Sequence, residues 1–135
     1  MPIFTIRKAH QNDAAGMAKV HVETWQSAYR GILPADLLDG LSVKTTAEKW
    51  QVAFAEMMTS EEAVFVAENE TKEIVGIASC GPERSHDPVY QAEIYVLYVL
   101  PACQRQGIGR RLVAACLQHL ITQNNAESGE YPLTS

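Results

Sequence analysis

One segment of the chain, residues 92–111, limits most strongly how the protein can fold. Residues 92–99 are rich in β-branched and aromatic side chains, which favours a strand, and Pro101 ends that strand. Two glycines follow, and apolar residues then recur at helical spacing from residue 108 to residue 121. The chain therefore passes from a strand through a short turn into a helix, and this helix has to bury its apolar stripe against another layer.

The pattern before this segment predicts further strands and helices in a fixed order. We predict a strand at 3–7, a helix capped by Asn12 or Asp13 and running to residue 29, a helical turn at 34–38, a helix at 43–57 capped by Ser42, and a hairpin of strands at 63–68 and 73–80. This order indicates an α/β (α+β) fold with a mostly antiparallel central sheet flanked by helices. A length of 135 residues favours one domain.

The charge and composition of the chain argue against several classes of protein. A formal net charge of −5 disfavours non-specific nucleic-acid binding, and no stretch approaches the ~20 apolar residues that a membrane span needs. The first residues lack the basic and then apolar order of a secretion signal. The three cysteines show no CxxC spacing, so we expect reduced thiols, no metal site and a cytoplasmic protein.

The turn between the last strand and the last helix has the features of an anion site. Gly107 and Gly109 let a large anion approach the main chain, and the first helical turn leaves N–H groups unpaired at the positive end of the helix dipole. Arg105, Arg110 and Arg111 add positive charge. A P-loop would need Lys and then Ser or Thr after its glycines, and a dinucleotide fingerprint would need a third glycine. On these residues alone, a helix start on a solvated surface stays an open alternative.

The residues around this turn resemble a known family. Residues 93–101 and 104–112 are similar to the cofactor-binding core of the GNAT superfamily of N-acetyltransferases. Its signature is Arg or Gln, two residues, Gly, one residue, then Gly or Ala, and Gln104, Gly107 and Gly109 fill it. In the N-terminal half, Trp25 and the run Tyr29-Arg30-Gly31-Ile32-Leu33-Pro34 resemble the acceptor-side helix and turn of many bacterial members that act on small molecules. The resemblance covers about residues 3–124.

The resemblance implies an acetyl-CoA-dependent N-acetyltransferase that acts without a metal on a primary amine of a small molecule or peptide. In this family the strand before the turn contacts the pantetheine arm and the acetyl group, and the turn surrounds the pyrophosphate. The positions carried over for the cofactor are Leu97, Tyr98, Val99, Gln104, Arg105, Gln106, Gly107, Ile108, Gly109 and Arg110. Those carried over for the acceptor are Trp25, Tyr29 and Arg30.

The reaction needs a base, because an alkylamine with a pKa of ~10.4 is mostly protonated at neutral pH. Glu93 stands where histone-type members of the family have their catalytic glutamate, so the resemblance implies that Glu93 is the base. The alternative for Glu93 is a position at the start of the strand that points to solvent. His86, in the segment before the strand, is a weaker candidate for the base.

The chain departs from the family after its last helix. Complete members continue with a strand, a helix and a closing hairpin, which wall the cofactor cleft and usually supply a tyrosine acid. We therefore predict a C-terminally truncated GNAT-like domain at residues 1–124 and a disordered tail at residues 125–135. A homodimer that completes the sheet, a truncated gene and an altered tail are the alternatives. The competing function is a catalytically inactive acyl-CoA-binding remnant, or a subunit of an oligomer that completes the fold.

Overall fold

The computed structural model describes residues 3–57, 62–82 and 92–128. The strands and helices, in chain order, are β1 (Thr5–Lys8), α1 (Ala14–Tyr29), α2 (Ala35–Asp39), α3 (Val43–Met57), β2 (Ala63–Glu68), β3 (Ile74–Pro82), β4 (Ala92–Val99) and α4 (Ile108–Ser128). Short 3-10 turns at Gln11–Asp13 and Pro101–Cys103 precede α1 and follow β4. The predicted order of elements is confirmed.

The four strands form one sheet in the order β1-β2-β3-β4, and every pair is antiparallel. The predicted hairpin is formed by β2 and β3. Asn69 holds its turn, because the Asn69 Oδ1 accepts hydrogen bonds from the main-chain N–H groups of Thr71 and Glu73 at 3.0 and 2.9 Å. Among the described residues β4 pairs with β3 alone, so β4 forms one edge of the sheet.

The helix α4 covers one face of the sheet, which we call the α4 face. Ile108, Leu112 and Cys116 lie on its predicted apolar stripe and are buried in one cluster with Phe65 and Ala78 of the sheet. The first helical turn after the glycines is therefore fixed against the strands by apolar burial.

The helices α1 and α3 cover the opposite face, which we call the α1/α3 face. Met17 and Val20 of α1 are fully buried in one cluster with Ile77 of β3. Trp50 of α3 packs on this cluster, and so does Tyr98 of β4. The sheet thus lies between two helical layers.

The start of α1 differs from the prediction. The Asp13 carboxylate makes no cap hydrogen bond to α1, and instead accepts two hydrogen bonds from the Arg7 guanidinium at 2.8 and 2.9 Å. Such bidentate contacts are among the stronger protein hydrogen bonds, which explains why Asp13 turns away from the helix. They are the main cause that lowers the pKa of Asp13 below its ordinary value. Ser42 caps α3 as predicted, because its Oγ accepts the N–H of Thr45 at 3.2 Å.

The last helix is longer than predicted. Since α4 continues to Ser128, the prediction of a tail from residue 125 is wrong for residues 125–128. Ala126 and Glu127 are good helix formers, and extending an existing helix is much easier than starting one. Residues 129–135 lie outside the described residues, as does the segment that contains His86. In the part of the chain that is described, no helix is long and apolar enough to cross a membrane.

Candidate functional site

The strand β4 presents different side chains to the two faces of the sheet. Val99 packs on the cluster of the α4 face, whereas Val96 and Tyr98 pack on the cluster of the α1/α3 face. The alternation is interrupted once, because Ser79 of β3 pairs with Val96 while the next residue, Cys80, pairs with Ile94. Tyr95 is therefore the extra residue of a β-bulge.

The bulge decides the face on which Glu93 lies. Ile94 packs on the α4 face. Glu93, the residue before Ile94, is paired with Gly81 of β3. Glu93 therefore belongs to the α1/α3 face, the same face as Tyr98. Without the bulge, strict alternation would put Glu93 on the side of Leu97 and Val99. Glu93 is half-buried.

The main-chain pairing of β4 determines which groups point to the open edge. The N–H of Leu100 donates a hydrogen bond to the carbonyl of Val75 at 2.9 Å. Residues of an antiparallel strand alternate between bonding to the neighbouring strand and pointing away from it. Tyr98 therefore bonds to β3, and the N–H groups of Leu97 and Val99 point to the outer edge.

The turn after β4 adopts the conformation of an anion cradle. Arg105 and Gly107 both have positive φ values, 65° and 83°. Alternation of left- and right-handed residues directs successive N–H groups to one side, which makes a concave anion site. The carbonyl of Gly107 accepts the first helical hydrogen bond, from the N–H of Arg111 at 3.1 Å. The N–H groups of the three residues between them therefore have no partner within the helix.

A cavity of about 290 Å³ adjoins this turn. Its lining residues are Leu97, Val99, Cys103, Gln104, Arg105, Ile108 and Gly109. A Cβ atom added to Gly109 would meet no other atom within 4 Å, so the glycine leaves room on the cavity side of the helix start. The Gln104 side chain folds back to the strand, where its Nε2 donates a hydrogen bond to the carbonyl of Val99 at 3.1 Å. The strand end and the turn thus form one site.

Six of the ten residues predicted for the cofactor line this cavity. Gln106, Gly107 and Arg110 are exposed around the same turn without lining it, and Tyr98 lies on the opposite face of β4. Arg111, which we expected to add charge to the cradle, donates a hydrogen bond to the carbonyl of Phe4 at 2.9 Å. Its side chain joins α4 to the start of β1, so the charge available at the cradle comes from Arg105 and Arg110.

A second cavity, of about 370 Å³, lies between α1 and α3. Its lining is formed by His21, Val22 and Trp25 of α1, by Leu41, and by Thr46, Lys49, Trp50 and Ala53 of α3. The sequence analysis predicted only Trp25 among these. The residues from α3 lie three and four positions apart and so share one face of the helix, but they have no common property that would have identified them from the sequence.

The other two residues predicted for the acceptor do not line this cavity. The ring of Tyr29 packs against the ring of Trp25 at a tilt of 50°, with 4.9 Å between the two centroids. Tyr29 does not belong to the cavity lining. Arg30 is exposed and forms an ion pair with Asp39 at 3.0 Å. Of the predicted acceptor residues, the structure brings Trp25 alone to the cavity wall.

Tyr98 connects the second cavity to β4. The Trp25 Nε1 donates a hydrogen bond to the Tyr98 hydroxyl oxygen at 2.8 Å, and the rings of His21 and Tyr98 lie 5.1 Å apart. Burial, and after it the positive charge of Lys49, lowers the pKa of His21 below its ordinary value of 6.5, so His21 is neutral at pH 7. Adjacent residues of β4 therefore contact the walls of two cavities, one on each face of the sheet.

Comparison with known proteins identifies the family of the chain. The model of the acetyltransferase (GNAT) family matches residues 32–128, which include the cradle, β4 and α4. The chain belongs to the GNAT family. The resemblance from the sequence, and the fold class that it implied, are confirmed.

Within the described residues, no group of three or more His, Cys, Asp or Glu side chains is arranged to hold a metal ion.

A relative from Bacillus subtilis aligns with most of the chain. The uncharacterized N-acetyltransferase YuaI of Bacillus subtilis (strain 168) is 39% identical over 119 residues, which cover 88% of this chain and 65% of YuaI. This chain thus spans just under two thirds of the length of that relative.

Two solved structures show the same fold. The PaiA N-acetyltransferase of Thermoplasma acidophilum, in complex with coenzyme A, superposes with a TM-score of 0.70 at 17% identity, over 90% of this chain and 74% of PaiA. YncA of Salmonella typhimurium, with its cofactor acetyl-CoA, superposes with a TM-score of 0.61 at 25% identity, over 86% of this chain and 62% of YncA.

Proposed function

We propose that this protein is an N-acetyltransferase that uses acetyl-CoA to acetylate a primary amine of a small molecule or peptide. One observation carries the proposal: Leu97 and Val99 of β4 line the cavity that contains the anion cradle, and Tyr98 between them contacts two wall residues of the second cavity, His21 and Trp25. Transfer between two substrates needs such an arrangement, in which donor and acceptor approach one strand from different sides.

The cavity beside the cradle has the properties of a coenzyme A site. The exposed N–H groups at the start of α4 and the charges of Arg105 and Arg110 suit a diphosphate. The space beside Gly109 allows a bulky anion to reach the main chain. PaiA and YncA, which share the fold, were solved with coenzyme A and acetyl-CoA respectively.

The outer edge of β4 supplies donors for the reacting carbonyl. The N–H groups of Leu97 and Val99 point away from β3, and both residues line the coenzyme cavity. A pantetheine arm along this edge would pair with the strand as a further strand does. An edge N–H directed at the thioester oxygen would stabilise the negative charge that develops there during attack.

Glu93 is proposed as the general base. The bulge at Tyr95 turns it to the α1/α3 face, where the second cavity and Tyr98 lie, although Glu93 lines neither cavity. In the proposed reaction Glu93 takes a proton from the ammonium group, directly or through water, and the amine nitrogen attacks the thioester carbon. The C–N bond forms and the positively charged nitrogen gives its second proton to water. The C–S bond then breaks, and the sulfur leaves as the thiolate of a thiol of pKa ~8.5, so no strong acid is needed.

The test incubates the protein with acetyl-CoA and a panel of amines, and detects N-acetylated products by mass spectrometry. This readout avoids thiol reagents, which would also react with the free Cys103. We expect Glu93→Gln to lower kcat by about 100-fold or more while the affinity for acetyl-CoA is retained. Glu70→Gln, at an exposed turn residue, is the matched control.

Two outcomes would contradict parts of the proposal. If millimolar acetyl-CoA does not raise Tm, the coenzyme site is wrong, because a ligand that binds the folded state stabilises it by mass action. If acetyl-CoA binds and no amine is acetylated, the protein is the inactive acyl-CoA-binding remnant.

A homodimer and a cytoplasmic location complete the proposal. The part of the β4 edge that precedes Leu97 supports pairing with a second copy, which leaves the N–H groups of Leu97 and Val99 to the pantetheine arm, and light scattering of the purified protein tests this pairing. The free state of Cys80, Cys103 and Cys116 agrees with a reducing compartment.

A further inference from the structure

The cavity between α1 and α3 differs in charge from the protein as a whole. The chain carries a formal net charge of −5, yet the lining contributed by the described residues contains one charged side chain, Lys49, and no carboxylate. His21, in the same wall, is neutral at pH 7. The local charge that a ligand meets in this cavity is therefore positive.

Two of the lining residues, Trp50 and His21, also carry polar atoms that lack a partner among the described residues. The Trp50 Nε1 and the His21 Nδ1 are both buried, and neither has a hydrogen-bond partner among the described residues. A buried unpaired donor is costly, and the indole N–H can only donate. A ligand atom that satisfies Trp50 must therefore be an acceptor.

Apart from the Thr46 hydroxyl, the rest of the lining is largely apolar. Val22, Leu41 and Ala53 are aliphatic, and the rings of His21 and Trp50 lie 6.3 Å apart in an edge-to-face arrangement. A volume of about 370 Å³ falls at the lower end of the range for small-molecule sites. The cavity therefore suits a compact ligand that combines an apolar group with a hydrogen-bond acceptor.

We propose that this cavity binds the carboxylate and the apolar side chain of the acceptor, so that the acyl acceptor is an amino acid or a similar small amino-carboxylate. The proposal rests on the proposed acetyltransferase function and names its substrate class. A carboxylate satisfies Lys49 and Trp50 together, because each oxygen accepts more than one hydrogen bond. The amine then extends past His21 and Trp25 towards Tyr98 and the edge of β4.

The same features disfavour polyamines as acceptors. A polycation placed in this cavity would approach the Lys49 ammonium, and the lining that the described residues contribute has no carboxylate to balance it. An arylalkylamine, which has no carboxylate, would fill the apolar part and leave Lys49 and the Trp50 N–H without an acceptor. Of these three classes, only an amino-carboxylate matches both the charge and the buried donor.

The experiment compares amino acids with their decarboxylated counterparts. L-leucine is paired with isoamylamine, L-phenylalanine with phenethylamine, and spermidine represents the polyamines. We expect kcat/KM for each amino acid to exceed that for its counterpart by about tenfold or more, because a charged contact is lost with the carboxylate.

Lys49→Met and Lys44→Met form a matched pair of variants. Both lysines are exposed residues of α3, and only Lys49 lines the cavity. We expect Lys49→Met to raise KM for L-leucine by about tenfold with kcat retained, and to leave KM for isoamylamine nearly unchanged. Trp50→Phe keeps the ring contact and removes the N–H donor, so it should also raise KM for L-leucine. Lys44→Met should behave as the unchanged protein does.

The proposal is overturned if isoamylamine, phenethylamine or spermidine is acetylated as efficiently as the amino acids while acetylation itself proceeds. That result leaves the acetyltransferase function intact. If no amine is acetylated, calorimetry of the protein saturated with coenzyme A decides the matter, using N-acetyl-L-leucine and N-isoamylacetamide. The proposal is supported if N-acetyl-L-leucine binds more tightly than N-isoamylacetamide and if this difference is lost in Lys49→Met. Equal binding, or none, overturns it.

Discussion

The indole nitrogen of Trp25 donates a hydrogen bond of 2.8 Å to the hydroxyl oxygen of Tyr98, and this bond ties α1 to the edge strand of the sheet. Trp25 lines the cavity between α1 and α3, and the neighbours of Tyr98 in β4 line the cavity beside the cradle, which is the proposed coenzyme site. The bond therefore fixes the distance between the two proposed binding sites.

Removal of this bond should affect both stability and catalysis. Tyr98→Phe leaves the Trp25 N–H without its partner, which we expect to lower the free energy of unfolding by about 1–2 kcal/mol. Because the strand is then less firmly held against α1, kcat should fall more than the affinity for acetyl-CoA changes. Urea denaturation and steady-state kinetics measure the two effects. Tyr29→Phe is the control, since Tyr29 stacks on Trp25 and is partly exposed. Equal effects of both substitutions would contradict a specific role of the bond.

The two glycines of the cradle should respond differently to substitution. At Gly109 a new side chain meets open space in the coenzyme cavity, so Gly109→Leu should weaken acetyl-CoA binding by about tenfold or more. The ligand-free protein should be as stable as before or slightly more stable, because leucine favours a helix over glycine by up to about 1 kcal/mol. Calorimetry and thermal melts without ligand measure these effects.

Gly107 provides the contrast. Its φ of 83° is unfavourable for any residue with a Cβ, and open space surrounds it. Gly107→Ala should therefore lower the stability of the ligand-free protein by about 1 kcal/mol without filling the cavity. If Gly109→Leu binds acetyl-CoA as well as the unchanged protein does, the coenzyme does not occupy this cavity.

The fold could be predicted because its signals are local. The turn residues of the hairpin, the apolar stripe of α4 and the strand propensity of residues 92–99 each determine structure within a few residues. The cradle could be predicted for the same reason, since its residues are consecutive. Six of the ten residues predicted for the cofactor line one cavity.

The second cavity and the face of Glu93 could not be predicted in the same way. The cavity forms where α1 meets α3, and the packing of two helices depends on residues that are distant in the sequence. Lys49 has the pattern of an ordinary solvated lysine until α1 is packed beside it. The bulge at Tyr95 moves Glu93 to the opposite face of the sheet. The alternation of residues 92–99 does not predict an extra residue at this position.

The histidines should make the protein sensitive to mild acid. The pKa of His21 is lowered first by burial and then by Lys49, and the pKa of His119 is lowered first by burial and then by Lys8. Below the ordinary value of 6.5, the unfolded chain therefore binds more protons than the folded protein. The free energy of unfolding is at its full value above pH 6.5 and falls as the pH drops from there towards the lowered pKa values.

Thermal melts between pH 8 and pH 5 test this dependence. We expect Tm to be nearly constant above pH 7 and to fall below it, with a smaller fall in His21→Gln. Asp13 does not interfere, because its pKa is lowered from 3.8 and its contribution is lost only at more acidic pH. His10→Gln, at an exposed position, should keep the original dependence. If Tm falls as much in His21→Gln as in the unchanged protein, His21 does not contribute to the pH dependence.

The Arg7 guanidinium should be the most important surface cation for stability. It binds Asp13 at 2.8 Å and Glu68 at 3.2 Å, and the Glu68 side chain is only 9% exposed. Arg7→Met would leave two carboxylates facing each other in a partly buried site, where the nearest remaining cation is Lys72 at 3.9 Å from Glu68. We expect a loss of about 2 kcal/mol at pH 7, because removing one partner of a buried ion pair leaves uncompensated charge.

Arg30→Met is the matched control for this prediction. Arg30 and Asp39 form an ion pair of similar length, at 3.0 Å, but both side chains are largely exposed. Solvent screens such a pair, so its loss should change the free energy of unfolding by less than about 1 kcal/mol. Urea denaturation at pH 7 compares the two variants. Because Asp13 would no longer have a lowered pKa in Arg7→Met, the difference between this variant and the unchanged protein should shrink as the pH falls below 4. A difference that persists at pH 3 would indicate that Arg7 acts through packing of its apolar stem instead.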